Sequence, residues 1–146
     1  MPTSPASRKP TRWVGLTPDD RRAERRTLLL DAAFELLGTE GWGGTTVRGV
    51  CQQARLNPRY FYESFDDLDA LLLALYDRLV AELGEEVLRA VAEAGDHPRA
   101  QMRAAIGSIL AFVDDDPRRG RVLYVEALGN EALNRRRIET GHALVA

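Results

Sequence analysis

TTVRGVCQQARLNPRYFYESF, residues 45–65, decides how this chain is read. Thr45 or Thr46 caps a short helix whose inward face is Val47, Val50, Cys51 and Ala54. A hydroxyl there accepts one of the N–H groups that a helix start leaves unpaired. Asn57 is a second cap, Pro58 suits the first helical position, and Leu56 and Phe61 stand where a hydrophobic staple needs them. That next helix runs from about Pro58 to Ser64. Two short helices joined by a tight turn and braced by an apolar helix form a helix-turn-helix unit. Leu56, Phe61 and Phe65 read as its inner face. Asn57, Arg59, Tyr60, Tyr62 and Ser64 read as outward, where such side chains can reach phosphates and base edges in the major groove. Tyr60 and Tyr62 also fit an aromatic core cluster, and both readings stay open.

The brace precedes this unit. Thr17 is a good N-cap, Pro18 fits the first helical position, and Asp19 and Asp20 favour the positive end of the helix dipole. Leu29, Ala32, Ala33, Leu36 and Leu37 then recur at helical spacing as one apolar stripe. Gly38 and Gly41 mark its end, and Gly43-Gly44 makes a short break.

A long helix follows the unit. Asp67 caps it, and Leu68, Leu71, Leu72, Leu75, Tyr76, Leu79, Val80, Leu83 and Val87 keep helical spacing up to about Ala94, before Gly95 and Pro98. It spans about 40 Å. A fifth helix is expected from about Pro98 to Asp114, with Met102, Ile106, Ile109, Leu110 and Val113 facing inward. Asp116-Pro117 opens a sixth, through about Leu128. Asn130 caps a seventh, with Leu133 and Ile138 on one face. No strand-like alternation appears, so the fold class is all-α.

Composition narrows the function. With 45% hydrophobic and 29% charged residues, the chain is globular rather than wholly disordered. Residues 1–16, with Pro2, Pro5, Pro10, Arg8, Lys9 and Arg12, read as a disordered basic arm in which Trp13 alone could dock on the first helix. No run approaches the roughly 20 apolar residues of a membrane span. The start of the chain lacks the apolar core of a signal peptide. One cysteine, Cys51, leaves no intramolecular disulfide, and a reducing cytoplasm is expected. The net charge of −2 hides an asymmetry: residues 1–65 carry 10 basic and 7 acidic side chains, residues 66–146 carry 10 and 15. A basic front suits an anionic partner.

Other chemistry-bearing residues read as structural. His97 stands at a helix start and His142 reads as solvated, neither with a metal-spaced partner. Cys51 lies on a buried face, which disfavours a redox role. Asp114-Asp115-Asp116 is a helix end plus a cap. Arg135-Arg136-Arg137 reads as a solvated face, with Arg136 or Arg137 able to meet an anionic ligand. No phosphate loop, Ser/His/Asp set or paired-carboxylate motif is present, so no enzyme, cofactor or metal is expected.

Leu29-Leu30-Asp31-Ala32-Ala33-Phe34-Glu35-Leu36-Leu37, Gly41-Trp42, Thr45-Thr46-Val47-Arg48, Ala54-Arg55-Leu56-Asn57 and Tyr60-Phe61-Tyr62-Glu63-Ser64-Phe65 together resemble the DNA-binding domain of TetR-type transcriptional regulators over about residues 21–76. The resemblance implies an all-α chain with residues 17–66 as helix-turn-helix domain. A long helix joins it to an effector-binding and dimerisation body over residues 67–146. It implies a homodimer on a palindromic operator in double-stranded DNA, acting as a repressor released by a small-molecule effector. Thr46, Arg48, Arg59, Tyr60 and Tyr62 match family positions that contact DNA, and Asn57 takes the place of a Ser cap. Arg55 replaces a usual Gly and could supply a phosphate contact. Glu63 and Leu68 stand where basic residues are common. The family's two closing helices have no counterpart here, so an incomplete body is expected. These residues alone are then either monomeric and sticky or paired through helices six and seven. The alternative from another class is a helical interaction module or shortened regulator that has lost operator binding.

Overall fold

The computed structural model describes residues 15–145, and the side chains of residues 144 and 145 are not among the features described. The arm and the docking expected of Trp13 fall outside that range. Every element within it is helical: α1 (Pro18–Glu40), a single 3-10 turn (Trp42–Gly44), α2 (Val47–Ala54), α3 (Pro58–Ser64), α4 (Leu68–Glu93), α5 (Pro98–Asp115), α6 (Pro117–Gly120), a π-helical stretch (Arg121–Glu126), α7 (Ala127–Gly129) and α8 (Glu131–Val145). Among the described residues no helix is long and apolar enough to cross a membrane.

Side-chain caps set the starts. Thr17 Oγ1 accepts the Asp20 N–H at 3.1 Å while Asp20 accepts the Thr17 N–H at 3.0 Å, a closed capping box. That bond holds the Asp20 carboxyl below its ordinary pKa. Thr46, rather than Thr45, caps α2. Thr45 is buried and donates to the Gly41 carbonyl at 2.8 Å. Asn57 caps α3, Asp67 caps α4, and Asn130 accepts the Leu133 N–H at 3.0 Å.

One apolar core runs through the molecule. Leu29, Ala33 and Leu37 of α1 meet Val50, Phe61, Leu71, Leu72 and Leu75, all essentially without solvent contact. The same cluster continues to Phe112, Val122, Leu123 and Leu133. Burial pushes the Cys51 thiol and the Tyr76 phenol above their ordinary pKa values.

Three expectations about the body are corrected. Met102, Ile106 and Leu110 do not face inward; they are 67, 54 and 65% exposed, while Ile109 and Val113 are half-buried. Phe112 is the one buried residue of α5. The smaller side chains Ala104, Ala105 and Ser108 are half-buried, which lets α4 approach closely, and no further layer of the described chain covers the stripe of larger ones. Ile138 is 46% exposed, so only Leu133 anchors α8 as expected. The sixth helix is not uniform. Residues 121–126 widen into π-helix, which rotates side chains relative to an α-helical count and buries Glu126.

Candidate nucleic-acid interface

α1 carries α2 and α3 against its apolar stripe, leaving the outer sides of those two short helices in solvent. The buried pair is Phe61 of α3 and Phe65 at its C-cap, four residues apart, with ring centroids 5.7 Å apart. The exposed stripe is then Arg59, Tyr62 and Glu63, at the i, i+3, i+4 spacing of one helical face. Tyr62 is 60% exposed, with its ring edge-on to Phe61.

Thr46 and Arg48 are exposed at the start of α2, and Thr46 Oγ1 accepts the Gly49 N–H at 3.0 Å. Arg55 is exposed in the turn with φ 56° and ψ 43°, the left-handed conformation in which glycine costs least. Asn57 is exposed, and its Oδ1 accepts the Arg59 N–H at 2.9 Å. Tyr60 is half-buried, with the Arg25 guanidinium 4.4 Å above its ring and that of Arg59 at 5.3 Å. Ser64 does not face outward. Its Oγ is buried without a hydrogen-bond partner, because it lies on the inner shoulder of α3. Thr46, Arg48, Arg55, Asn57, Arg59 and Tyr62 are therefore all presented to solvent, and Tyr60 is partly covered.

Glu63 has a defined place. Its carboxylate pairs with Arg25 at 3.2 Å and lies 3.9 Å from Arg59. Arg25 thereby bridges α1 to both Tyr60 and Glu63 of α3. The long-range link from Arg25 to Glu63 has no signature in sequence spacing.

A second set of contacts joins this head to the body. Arg118 reaches Glu35 and Asp116 and stacks over Phe34 at 4.8 Å. Its bonds hold the Asp116 carboxyl below the usual range and raise its own pKa. Arg121 donates to the Gly38 carbonyl at 3.1 Å and to Glu126 at 2.9 Å, and Glu126 accepts the Trp42 N–H at 2.8 Å. Gly41, with φ 73°, lets these groups approach; a Cβ there would lie 2.8 Å from an Arg121 guanidinium nitrogen. Arg78 pairs with Asp31 of α1 across the same seam, while Asn130 donates to Asp69 and Arg136 pairs with Asp77 within the body.

His97, Cys51, Asp116 and His142 sit as expected, whereas Arg135-Arg136-Arg137 is not a uniformly solvated face, since Arg136 and Arg137 are half-buried. His97 caps α5 through Nδ1, Cys51 is buried, Asp116 caps α6, and His142 is exposed. Arg137 is half-buried and donates to Asn134.

Residues 29–75, which span the end of α1, α2, α3 and the first turns of α4, match the family model described as bacterial regulatory proteins, tetR family. Over that segment the chain is similar to the tetR family. Two proteins named HTH-type transcriptional regulator BetI are similar to it. That of Stenotrophomonas maltophilia (strain R551-3) is 37% identical over 82 residues, covering 56% of this chain and 42% of that protein. That of Burkholderia thailandensis is 33% identical over 87 residues, covering 60% of this chain and 45% of that protein. The chain thus spans less than half the length of these curated relatives. The structure resembles a TetR family transcription regulator from Marinobacter aquaeolei VT8 with a TM-score of 0.70 at 19% identity, over 87% of this chain and 68% of that one. It also resembles a TetR-like transcriptional regulator from Rhodococcus sp. RHA1 with a TM-score of 0.65 at 26% identity, over 82% and 65%. The tetR resemblance and the all-α class are borne out.

Proposed function

We propose that this chain is a sequence-specific DNA-binding transcription regulator that lays α3 in the major groove of a palindromic operator. The observation that carries this reading is the exposed Arg59–Tyr62 stripe, set on two buried phenylalanines and flanked by exposed Asn57, Arg55, Thr46 and Arg48. Arg48 and Arg55 would neutralise phosphates on either side of the groove. Arg59, Asn57 and Tyr62 would reach base edges, and Tyr60 would offer its hydroxyl to the backbone. Residues 17–66 act as the reading head and residues 67–146 as the body, in the cytoplasm and with no catalytic step.

Repression relieved by a small-molecule effector suits the seam between head and body. Arg118, Arg121 and Glu126 grip the end of α1 and the turn after it, and α1 is the helix that carries α2 and α3. An effector that shifts the π-helical stretch would move the bonds that orient the head. A monomer reads only a few base pairs, so operator specificity calls for two heads about one helical turn, roughly 34 Å, apart.

Selection from random duplex DNA tests the reading. An enriched palindrome whose binding falls on Arg59→Ala supports it. Failure to enrich any sequence, with no affinity for duplex at low salt, overturns it.

A further inference from the structure

Four side chains of the head meet in one cluster. The Arg25 guanidinium of α1 pairs with Glu63 Oε2 at 3.2 Å, and Glu63 Oε1 lies 3.9 Å from Arg59 Nε. Both guanidiniums also stand over the Tyr60 ring, 4.4 and 5.3 Å from its centroid. The Arg25 side chain is only 17% exposed, so it supports the face, whereas that of Arg59 is 76% exposed and forms it. One oxygen of Glu63 is therefore fixed from within, and the other accepts no hydrogen bond among the described residues. Stability of α3 does not account for this arrangement. An acid four residues after its base is the weaker order for a helical ion pair. Arg25 Nε is buried with no acceptor, which costs the fold an unmet donor.

We propose that Arg59 and Glu63 together read one G·C base pair, and that Arg25 is the positioning residue that holds the carboxylate for it. The proposal deepens the reading of α3 in the major groove and rests on it. A guanine presents two acceptors there, N7 and O6, and its cytosine presents one donor beside them, the N4 amino group. The matching protein surface is a fork of donors with an acceptor at its side. The Arg59 guanidinium is the fork, and the open Glu63 Oε1 next to it is the acceptor. The three other pairs do not fit. A C·G pair puts the amino group under the fork and an acceptor under the carboxylate. An A·T pair, either way round, interrupts the two acceptors with the adenine N6 amino group. An ionised carboxylate has no donor with which to compensate, so Glu63 rejects the wrong pair as well as selecting the right one. A lone acid would also repel phosphates. With Arg25 and Arg59 on either side the cluster keeps a net positive charge, and the carboxylate can approach DNA. Arg25 acts through Glu63: it takes up one oxygen, restricts the side chain and leaves the other oxygen beside Arg59.

The test starts from the duplex that the parent chain enriches out of random DNA. Each cytosine of its half-site is replaced in turn by N4-methylcytosine. That base still pairs with guanine but carries a methyl group where the amino hydrogen faced the groove. At one G·C pair the replacement should weaken the parent about tenfold and leave Glu63→Ala nearly unaffected. Arg25→Met keeps an apolar stem over Tyr60 but no charge, and should cut the penalty. Arg25→Lys keeps a cation for the carboxylate, and should retain most of it. A merely structural ion pair would move the melting temperature and not the response to a methyl group on one base. A parent indifferent to N4-methylcytosine at every position overturns the proposal, and so does a penalty that Glu63→Ala leaves intact. A penalty unchanged in Arg25→Met overturns the role given to Arg25. In each of these cases the enriched sequence still supports the regulator. A parent that enriches no sequence overturns both readings.

Discussion

Glu126 accepts the backbone N–H of Trp42 across 84 residues of chain, at 2.8 Å, from a nearly buried position on the π-helical stretch. The same carboxylate accepts from Arg121, which in turn donates to the Gly38 carbonyl. One acidic group therefore closes the end of α1, the turn that follows it and the body into a single hydrogen-bonded knot. Glu126→Ala should leave the Trp42 N–H unpaired and Arg121 without its partner. The expected loss is about 1–3 kcal/mol, read as a lower denaturant midpoint at unchanged m-value. An unchanged midpoint would mean that water replaces the carboxylate at no cost.

Core and contact separate on α3. Phe61→Ala should lose about 3–5 kcal/mol, since it empties a fully buried aromatic site. Tyr62→Ala should change stability by no more than about 0.5 kcal/mol yet weaken operator binding. Equal melting temperatures for Phe61→Ala and the parent would contradict the assignment of the inner face. Tyr60 is the poorer probe, because Arg25 stacks on it.

Much of the reading head was legible because capping is a local code. Thr17, Asn57-Pro58, Asp67 and Asn130 each announce a helix start within three residues, and each does so here. The left-handed turn at Arg55 has no local signature, since Arg stands in a conformation that favours Gly. The stripe of α5 was legible as a stripe but not as to which side it faces. Periodicity marks an apolar face without naming what covers it, so it does not tell that Met102, Ile106 and Leu110 face outward. The Arg25–Glu63 pair and the Glu126 knot were not legible, because they join residues 38 and 84 positions apart.

Glu63 puts a negative charge on the face proposed to meet DNA, balanced by Arg25 and Arg59. Glu63→Gln should raise affinity for random duplex at low salt and narrow the gap between operator and random sequence, since one repulsive charge is lost. Fluorescence anisotropy with both duplexes checks this. Weaker binding to random DNA in the variant would show instead that Glu63 holds Arg59 in a productive pose.

Asp116 links the seam to pH. The Arg118 bond depresses its carboxyl below the ordinary value of 3.8. A group with a lowered folded-state pKa contributes stability that is fully present above its unfolded value. That contribution disappears as pH falls through the folded one. Asp116→Asn should therefore lower stability at neutral pH and flatten the fall of the melting temperature below about pH 4. Parallel acid profiles for variant and parent would exclude this contribution.

The central claim is that the exposed basic side chains of the helix-turn-helix head bind duplex DNA. Its most direct test is a salt titration of binding, with the operator once selected and with random duplex before that. Log affinity should fall linearly with log salt, with a slope magnitude of roughly 4–8 for a dimer engaging Arg48, Arg55, Arg59 and the basic arm on both heads. The slope should shrink when Arg48 and Arg55 are replaced by alanine. Affinity that stays constant between about 50 and 200 mM salt would contradict the account.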